Sequence, residues 1–266
     1  MIGSIIGDIV GSIYEFSNIK TKDFPFFSSD KEYTDDSILS IATAKWILDG
    51  CCKKPSDYYL HYAQLYPFPM GAYGTGFNAW AKRAANGDDS PYNSCGNGSA
   101  MRVGPVGWAF DTEAEVMMMA RKSAEVTHNH PEGIKGAQAT ALCILMARQG
   151  CTKKEIREAV EMKFGYDLHF SCNDIRSSYG WGATCQDTVP QAIVAFLDGV
   201  DFEDCVRNAI SIGGDSDTLG CITGSMAEAF YEVPMAISHE ALVRLPKDLK
   251  QTVLDFDAQY VHQHGA

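Results

Sequence analysis

The sequence has few positive charges and no long apolar run, and each deficit excludes a class of function. Its 266 residues include 22 lysines and arginines against 34 aspartates and glutamates, a formal net charge of −12. This balance argues against nonspecific binding to nucleic acid or to an anionic membrane surface. No apolar stretch approaches the roughly 20 residues of a membrane-spanning helix. The first residues lack the basic region of a signal peptide and reach Asp8 too early.

Cysteine is present, but without a pairing pattern. The nine cysteines are scattered, no Cys-x-x-Cys occurs, and Cys51 and Cys52 are adjacent. An odd number at such spacing makes a poor disulfide framework and supplies no zinc ligand set. Reduced thiols are typical of the cytoplasm, so we expect a cytoplasmic protein.

Strand-like alternation of apolar and polar residues is also missing over any useful length, whereas helical periodicity recurs throughout. Neither a linker nor an internal repeat divides the chain, so we expect one all-α domain over residues 1–266. Besides a helix at the start, the pattern predicts loops over about 88–107 and 165–186, and helices at 36–49, 56–65, 76–86, 112–124, 131–148, 153–163, 187–198, 202–211, 219–231 and 239–244.

Three glycines recur every fourth residue at the start of the chain: Gly3, Gly7 and Gly11. On a helix this spacing places them on one stripe, where a second helix can approach closely. Asp8 and Glu15 lie on a different face of the same helix. Asp8 is interpreted as a structural acceptor and Glu15 either as a solvated residue at the helix end or as a functional carboxylate.

Two acidic clusters, at residues 34–36 and 215–218, each combine aspartate with threonine directly before an apolar helical run. One interpretation is that these residues are helix N-caps, which aspartate and threonine favour. The other is that the clusters meet in space and hold a pair of Mg²⁺ ions, because small hard cations prefer oxygen ligands. Both interpretations remain open from the residues alone.

The stretch Gly96-Asn97-Gly98 is either a surface turn or a loop whose amides bind phosphate. It is not a P-loop, because the Gly-Lys-Ser/Thr ending is missing. His128, just before a predicted helix start at Pro131, is either a packed side chain or part of an anion site. His262 and His264, near the chain end, are interpreted as inert.

Six blocks in order give the chain a specific resemblance to the ADP-ribosylglycohydrolases, the family of the dinitrogenase-reductase-activating and ADP-ribosyl-acceptor hydrolases. The resemblance covers residue 3 to about 231. The blocks are Gly7-Asp8-Ile9-Val10-Gly11-Ser12-Ile13-Tyr14-Glu15, Thr34-Asp35-Asp36, Gly96-Asn97-Gly98-Ser99-Ala100-Met101-Arg102, Thr127-His128, Val189-Pro190-Gln191-Ala192-Ile193 and Gly213-Gly214-Asp215-Ser216-Asp217-Thr218.

The resemblance implies a compact, orthogonal all-helical bundle with two Mg²⁺ ions, for which Mn²⁺ can substitute, at the bottom of a cleft. Glu15 matches the catalytic glutamate of the family's serine-type branch. The implied metal ligands are Thr34, Asp35, Asp36, Asp215, Asp217 and Thr218. The implied ADP-ribose contacts are Ser94, Gly96, Asn97, Gly98, His128 and Ala183. Glu228 departs from the family, which is usually smaller and more apolar at that position.

The implied activity is hydrolysis of the C1″ glycosidic bond of ADP-ribosyl groups on a protein or small molecule, with ADP-ribose as product. Nucleic acid is expected only as a modified substrate. The tripeptide Ile13-Tyr14-Glu15 favours a serine-type O-linkage. The alternatives are an arginine-type N-glycosidic hydrolase, an inactive ADP-ribose-binding relative, and a metal-dependent phosphohydrolase that would release AMP.

Overall fold

The computed structural model describes residues 1–261, which form fifteen α-helices and no named strand. This confirms the predicted all-α fold. A 3-10 turn, Ser12–Tyr14, follows the first helix, and a π turn, Asp257–Val261, follows the last. The helices are α1 (Ile2–Gly11), α2 (Asp35–Leu48), α3 (Pro55–Leu65), α4 (Thr75–Ala84), α5 (Gly98–Met101), α6 (Gly104–Ala109), α7 (Glu113–Glu125), α8 (Pro131–Arg148), α9 (Lys153–Phe164), α10 (Cys172–Ile175), α11 (Cys185–Asp198), α12 (Phe202–Ser211), α13 (Ser216–Phe230), α14 (Met235–Arg244) and α15 (Lys247–Phe256).

The glycine stripe of α1 packs directly on the backbone of α13, as the spacing predicts. A Cβ atom on Gly3 would lie 2.3 Å from the carbonyl oxygen of Gly224, and one on Gly7 would lie 1.9 Å from that of Gly220. Gly11 meets the backbone of Ser216 in the same way. The two helices are therefore antiparallel and in backbone contact, so the end of α1 lies beside the start of α13.

Glu228, the departure from the family pattern, anchors the other end of this helix pair. Its carboxylate accepts hydrogen bonds from the backbone N–H groups of Ile2 (3.0 Å) and Gly3 (2.9 Å). An anionic acceptor at a helix N-terminus satisfies free N–H groups and is favoured by the helix dipole. The charge therefore has a structural role at the start of α1.

The short helices differ from the sequence prediction. Helices α5 and α6 interrupt the predicted 88–107 loop, and α10 lies within the predicted 165–186 loop. A single helical turn is too short to show a 3.6-residue period in the sequence. In α5 the turn is held by packing, since Ser99, Ala100 and Met101 are all buried.

The end of the chain is more helical than predicted. Helix α14 begins at Met235 rather than at residue 239, and α15 was not predicted at all. The signal for α15 is present, because Leu249, Val253 and Phe256 are buried at the spacing of one helix face. Among residues 1–261, no helix has the length and apolarity needed to cross a membrane. His262 and His264 lie outside the described residues, as does the end of the predicted 1–266 domain.

Candidate active site

A cavity of about 450 Å³ opens where the end of α1 meets the starts of α2 and α13. The sequence analysis named thirteen residues as catalytic, metal-binding or ADP-ribose-binding, and all but one of them line this cavity. Thr34 is the exception, and it is fully buried. The lining residues from the sequence prediction are Glu15, Asp35, Asp36, Ser94, Gly96, Asn97, Gly98, His128, Ala183, Asp215, Asp217 and Thr218.

Asp8 and Thr34 fix the start of α2 against α1. Thr34 is the N-cap of α2, and its hydroxyl accepts a hydrogen bond from the N–H of Asp36 (3.2 Å). The Asp8 carboxylate in turn accepts from the N–H (2.9 Å) and hydroxyl (2.7 Å) of Thr34, and from the N–H and hydroxyl of Ser37. The cap interpretation is thus confirmed for Thr34, and Asp8 is confirmed as a structural acceptor.

Five carboxylates converge at the bottom of the cavity; we call Glu15, Asp35, Asp36, Asp215 and Asp217 the acidic floor. Carboxylate oxygens of Glu15, Asp215 and Asp217 lie within 4.8 Å of one another. Asp215 makes no cap bond to its own helix and instead accepts from the Asn97 amide at 2.7 Å. Within residues 1–261, no lysine or arginine forms a salt bridge with the floor.

Burial and mutual repulsion favour the neutral form of these acids. Burial is the largest cause for Asp35, Asp36 and Asp217, and neighbouring carboxylates add to it, so their pKa values rise well above the usual range. Burial, with the charges of Asp215 and Asp8, raises the pKa of half-buried Glu15 to about 8. A group of like charges held this closely stabilises any cation placed among them.

The acidic floor fits a hard divalent cation. Every donor is oxygen, the set that Mg²⁺ prefers over nitrogen or sulfur. One Asp36 oxygen, Oδ1, is buried and has no hydrogen-bond partner, which is costly for a carboxylate unless a cation binds there. Thr218, whose hydroxyl offers another oxygen, lines the cavity together with these carboxylates.

Another part of the cavity lining is formed by Gly96, Asn97, Gly98 and His128, which we call the glycine wall, and Arg102 lines the cavity with them. The loop is pinned to the start of α11, because the N–H of Asn97 donates to the carbonyl of Ala183 (2.9 Å). A Cβ on Gly98 would lie 3.2 Å from Nε2 of His128. Glycine therefore leaves the imidazole edge open to the cavity.

Several lining residues were missed by the sequence reasoning. Aromatic side chains also line the cavity, among them Tyr73, Phe77, Tyr92 and Trp181, and Trp181 is 57 % exposed. Scattered aromatics carry no motif, although Trp181 lies between two glycines in a predicted loop. Arg102 stood within the recognised glycine-rich block, but nothing in the sequence showed that it would be fully buried.

With this geometry, the chain belongs to the ADP-ribosylglycohydrolase family, whose family model matches residues 1–263. The chain is 25 % identical to the ADP-ribosylhydrolase ARH3 of Homo sapiens over 304 aligned residues, covering 87 % of this chain and 84 % of the relative. It is 26 % identical to the ARH3 of Mus musculus, covering 87 % and 82 % of the two chains.

A bacterial enzyme and a solved structure are also similar. The ADP-ribosyl-[dinitrogen reductase] glycohydrolase of Rhodospirillum rubrum is 30 % identical over 159 residues, which cover 54 % of this chain and 49 % of that protein. A structure described as an ADP-ribosylglycohydrolase-related protein complex superimposes with a TM-score of 0.70 at 24 % identity, covering 96 % of this chain and 95 % of that one. At that identity the likeness establishes the all-helical fold.

Proposed function

We propose that this chain is a Mg²⁺-dependent hydrolase that cleaves the C1″ glycosidic bond of ADP-ribosyl groups and releases ADP-ribose from a modified protein or small molecule. Mn²⁺ is expected to substitute for Mg²⁺. The observation that carries the proposal is the pairing, in one cavity, of the Glu15–Asp215–Asp217 cluster with the glycine wall.

The cavity has the size and the mixed lining of a small-molecule site. Its volume of about 450 Å³ lies within the range of about 300–1,000 Å³ that is typical of ligand pockets. ADP-ribose offers an anionic diphosphate for the loop amides and a flat adenine ring that can stack on the aromatic side chains of the lining. An acidic protein can hold such an anion because the binding groups are local backbone N–H donors rather than net charge.

The acidic floor would hold the cations through Thr34, Asp35, Asp36, Asp215, Asp217 and Thr218. Thr34 would contribute the second lone pair of its hydroxyl oxygen, because that oxygen donates its hydrogen to Asp8 and accepts only one hydrogen bond, from Asp36. When bound, divalent ions supply Lewis acidity and orient the ribose hydroxyls and water. Asn97, through its bond to Asp215, links the floor to the glycine wall and fixes their relative position.

Glu15 is proposed to move the proton. Breaking the C1″ bond leaves an oxocarbenium-like ribose, so the leaving atom must gain a proton and water must lose one. Glu15 follows the 3-10 turn at the end of α1 and lines the cavity beside Asp215 and Asp217. A carboxyl at this position can protonate the leaving atom and then accept a proton from the attacking water.

The linkage is proposed from the position of Glu15. The tripeptide Ile13-Tyr14-Glu15 matches the serine-type branch of the family, which favours an O-linked substrate. In the arginine-type alternative, the N-glycosidic bond is cleaved without Glu15. In a binding-only relative, ADP-ribose occupies the cavity and no product forms.

A panel of defined substrates tests the proposal. Peptides ADP-ribosylated on serine and on arginine would be incubated with the protein and Mg²⁺, and the products identified by mass. We expect free ADP-ribose and unmodified peptide, fastest from the serine-linked substrate. Release of AMP would instead show a phosphohydrolase, and binding of ADP-ribose without turnover of any linkage would show a reader.

A further inference from the structure

Arg102 is a fully buried cation without a counter-ion. Its guanidinium stacks on the ring of Tyr59 at 4.0 Å, and Nη2 donates to the carbonyl of Ser123 (3.0 Å) and the hydroxyl of Thr127 (2.7 Å). Nε and Nη1 are buried without a hydrogen-bond partner. No carboxylate of residues 1–261 forms a salt bridge with it. A buried charge retained at this cost calls for a role beyond packing.

The hydroxyl of Thr127 connects Arg102 to the neighbouring His128 through two hydrogen bonds. Because Thr127 Oγ1 accepts from Arg102, its single hydrogen is left for another acceptor. Two acceptors are within reach: Nδ1 of His128 at 2.7 Å and the carbonyl of Ala124 at 3.5 Å. The shorter contact is within the normal range for a hydroxyl donor and the longer one is outside it. The hydrogen therefore lies on the bond to His128.

This bond fixes the tautomer of His128. A neutral imidazole whose Nδ1 accepts a hydrogen bond carries its own hydrogen on Nε2. Burial, with the nearby charge of Arg102, lowers the pKa of His128 well below its usual range, so the ring is neutral. Nε2 lies 3.2 Å from the position of a Cβ on Gly98 and 3.5 Å from that of a Cβ on Gly96. Nε2 therefore lies beside Gly96 and Gly98 in the lining of the cavity.

We propose that Arg102 is a positioning residue that acts through Thr127 to hold His128 in the Nε2–H tautomer, so that the ring donates a hydrogen bond to an anionic oxygen of the ligand. The inference rests on the proposed function, which supplies the diphosphate as the anion. The opposite tautomer would turn a lone pair toward that oxygen and repel it. Hydrogen-bond partners of metal- and substrate-binding histidines commonly set the ring tautomer in this way.

The Thr127 hydroxyl provides the sharpest test. Thr127→Val removes the hydroxyl at nearly constant volume, Thr127→Ser retains it, and Thr140→Val changes a buried threonine whose hydroxyl has no partner. With Mg²⁺ present, we expect calorimetry to show ADP-ribose binding weakened about 10-fold or more in Thr127→Val, the loss typical of a hydrogen bond to a charged group. Thr127→Ser and Thr140→Val should bind as wild type. Equal affinity of Thr127→Val and wild type, or equal losses in Thr127→Val and Thr127→Ser, would overturn the proposal.

A double-mutant cycle tests whether Arg102 acts through Thr127. Arg102→Met should weaken ADP-ribose binding in the wild-type background and add little in the Thr127→Val background. Fully additive losses would show that Arg102 acts by another route. Thermal unfolding of each variant identifies any that fail to fold, and the Thr127 comparison then decides by itself.

Nitrogen-15 NMR of the imidazole reads the tautomer without any ligand. In wild type the His128 spectrum should show a protonated Nε2 and an unprotonated Nδ1, and Thr127→Val should shift this population. A protonated Nδ1 in wild type would overturn the proposal whatever the protein binds. If the Nε2–H form is seen but wild type does not bind ADP-ribose, the tautomer of His128 is as proposed and the proposed function fails.

Discussion

The acidic floor and the glycine wall line one cavity, and they differ in the ionisable groups that each brings to it. The floor gathers five carboxylates without a basic partner among residues 1–261, and one oxygen of Asp36 has no hydrogen bond at all. Arg102 lines the same cavity and is a buried cation that forms no salt bridge with a carboxylate of residues 1–261. Under the proposed function, cations bind to the floor and the diphosphate of the ligand binds to the wall.

The two sides also differ in how the fold builds them. The floor is carried by helix ends, because the contact between α1 and α13 brings Glu15 beside Asp217. The wall is carried by a loop and one short helical turn, held by side-chain and backbone bonds such as that from Asn97 to Ala183. Substitutions in the floor should therefore act on metal binding and chemistry, and those in the wall on ligand affinity.

The largest effect is expected from the floor. Asp35→Ala or Asp217→Ala should abolish ADP-ribosyl hydrolysis, as should chelation of wild type with EDTA, because each removes the cations or their ligands. Mg²⁺ or Mn²⁺ added back should restore wild type and not the variants. Asp23→Ala, an exposed carboxylate outside the cavity, is the control. Full activity in EDTA, or in either cavity variant, would remove the metal-centre account.

Glu15→Gln should separate chemistry from binding. The amide keeps the shape of the side chain but cannot exchange a proton, and loss of a general acid or base typically costs about 10²–10⁴ in rate. ADP-ribose affinity should change far less than turnover, because the glycine wall is intact. Turnover near that of wild type would demote Glu15 to a residue at the helix end and favour the arginine-type mechanism.

On the wall, Gly98→Val should weaken ADP-ribose binding about 10-fold or more while leaving the unfolding temperature nearly unchanged. The added side chain meets the imidazole of His128 and fills the space next to the loop. Gly180→Val is the matched control, since a Cβ there meets open space and φ is not positive. Unchanged affinity in calorimetry would place the ligand elsewhere.

The smallest effect is on the stability of the metal-free protein, which should decrease as pH rises toward 8. Burial raises the pKa of Asp8 to about 6 and that of Glu15 to about 8, above an ordinary carboxyl value of about 4. At these two carboxyls the folded state binds more protons than the unfolded state, so their contribution to the free energy of unfolding falls as pH rises from about 4 to about 8. The lowered pKa of His128 acts in the opposite direction only below about pH 6.5, so the fall should be clearest between about pH 6.5 and 8. In EDTA the unfolding temperature should drop by several degrees across this range.

Mg²⁺ should flatten this pH dependence, because a bound cation stabilises the ionised carboxylates of the folded state. Thermal unfolding in parallel EDTA and Mg²⁺ buffers makes the comparison. A metal-free protein that becomes more stable as pH rises through this range would show that the floor is not electrostatically strained.

The sequence predicted the floor better than the wall. The four-residue glycine spacing of Gly3, Gly7 and Gly11 predicted a close helix contact, and that contact sets which helix ends meet. The clusters at 34–36 and 215–218 could be recognised because aspartate and threonine before an apolar run are unusual in pairs. For Thr34 the N-cap interpretation is confirmed, and its role as a metal ligand stays a prediction.

The wall was harder to predict because long-range contacts build it. The sequence of residues 94–102 does not reveal that α5 forms a helical turn or that Arg102 stacks on Tyr59. It also does not reveal that Trp181, from another loop, lines the same cavity. Such contacts join segments far apart in the chain and leave no periodic signal. Resemblance to a family located the loop, but only coordinates show its bond to Ala183.

Crystals grown with Mn²⁺ and ADP-ribose test the central claim most directly, because the anomalous signal of manganese locates the cation independently of the ligand. We expect manganese bound by carboxylates of the acidic floor, with the diphosphate against Gly96–Gly98 and the ribose between the floor and the wall. Manganese bound away from Asp215 and Asp217, or a diphosphate outside the glycine wall, would contradict it.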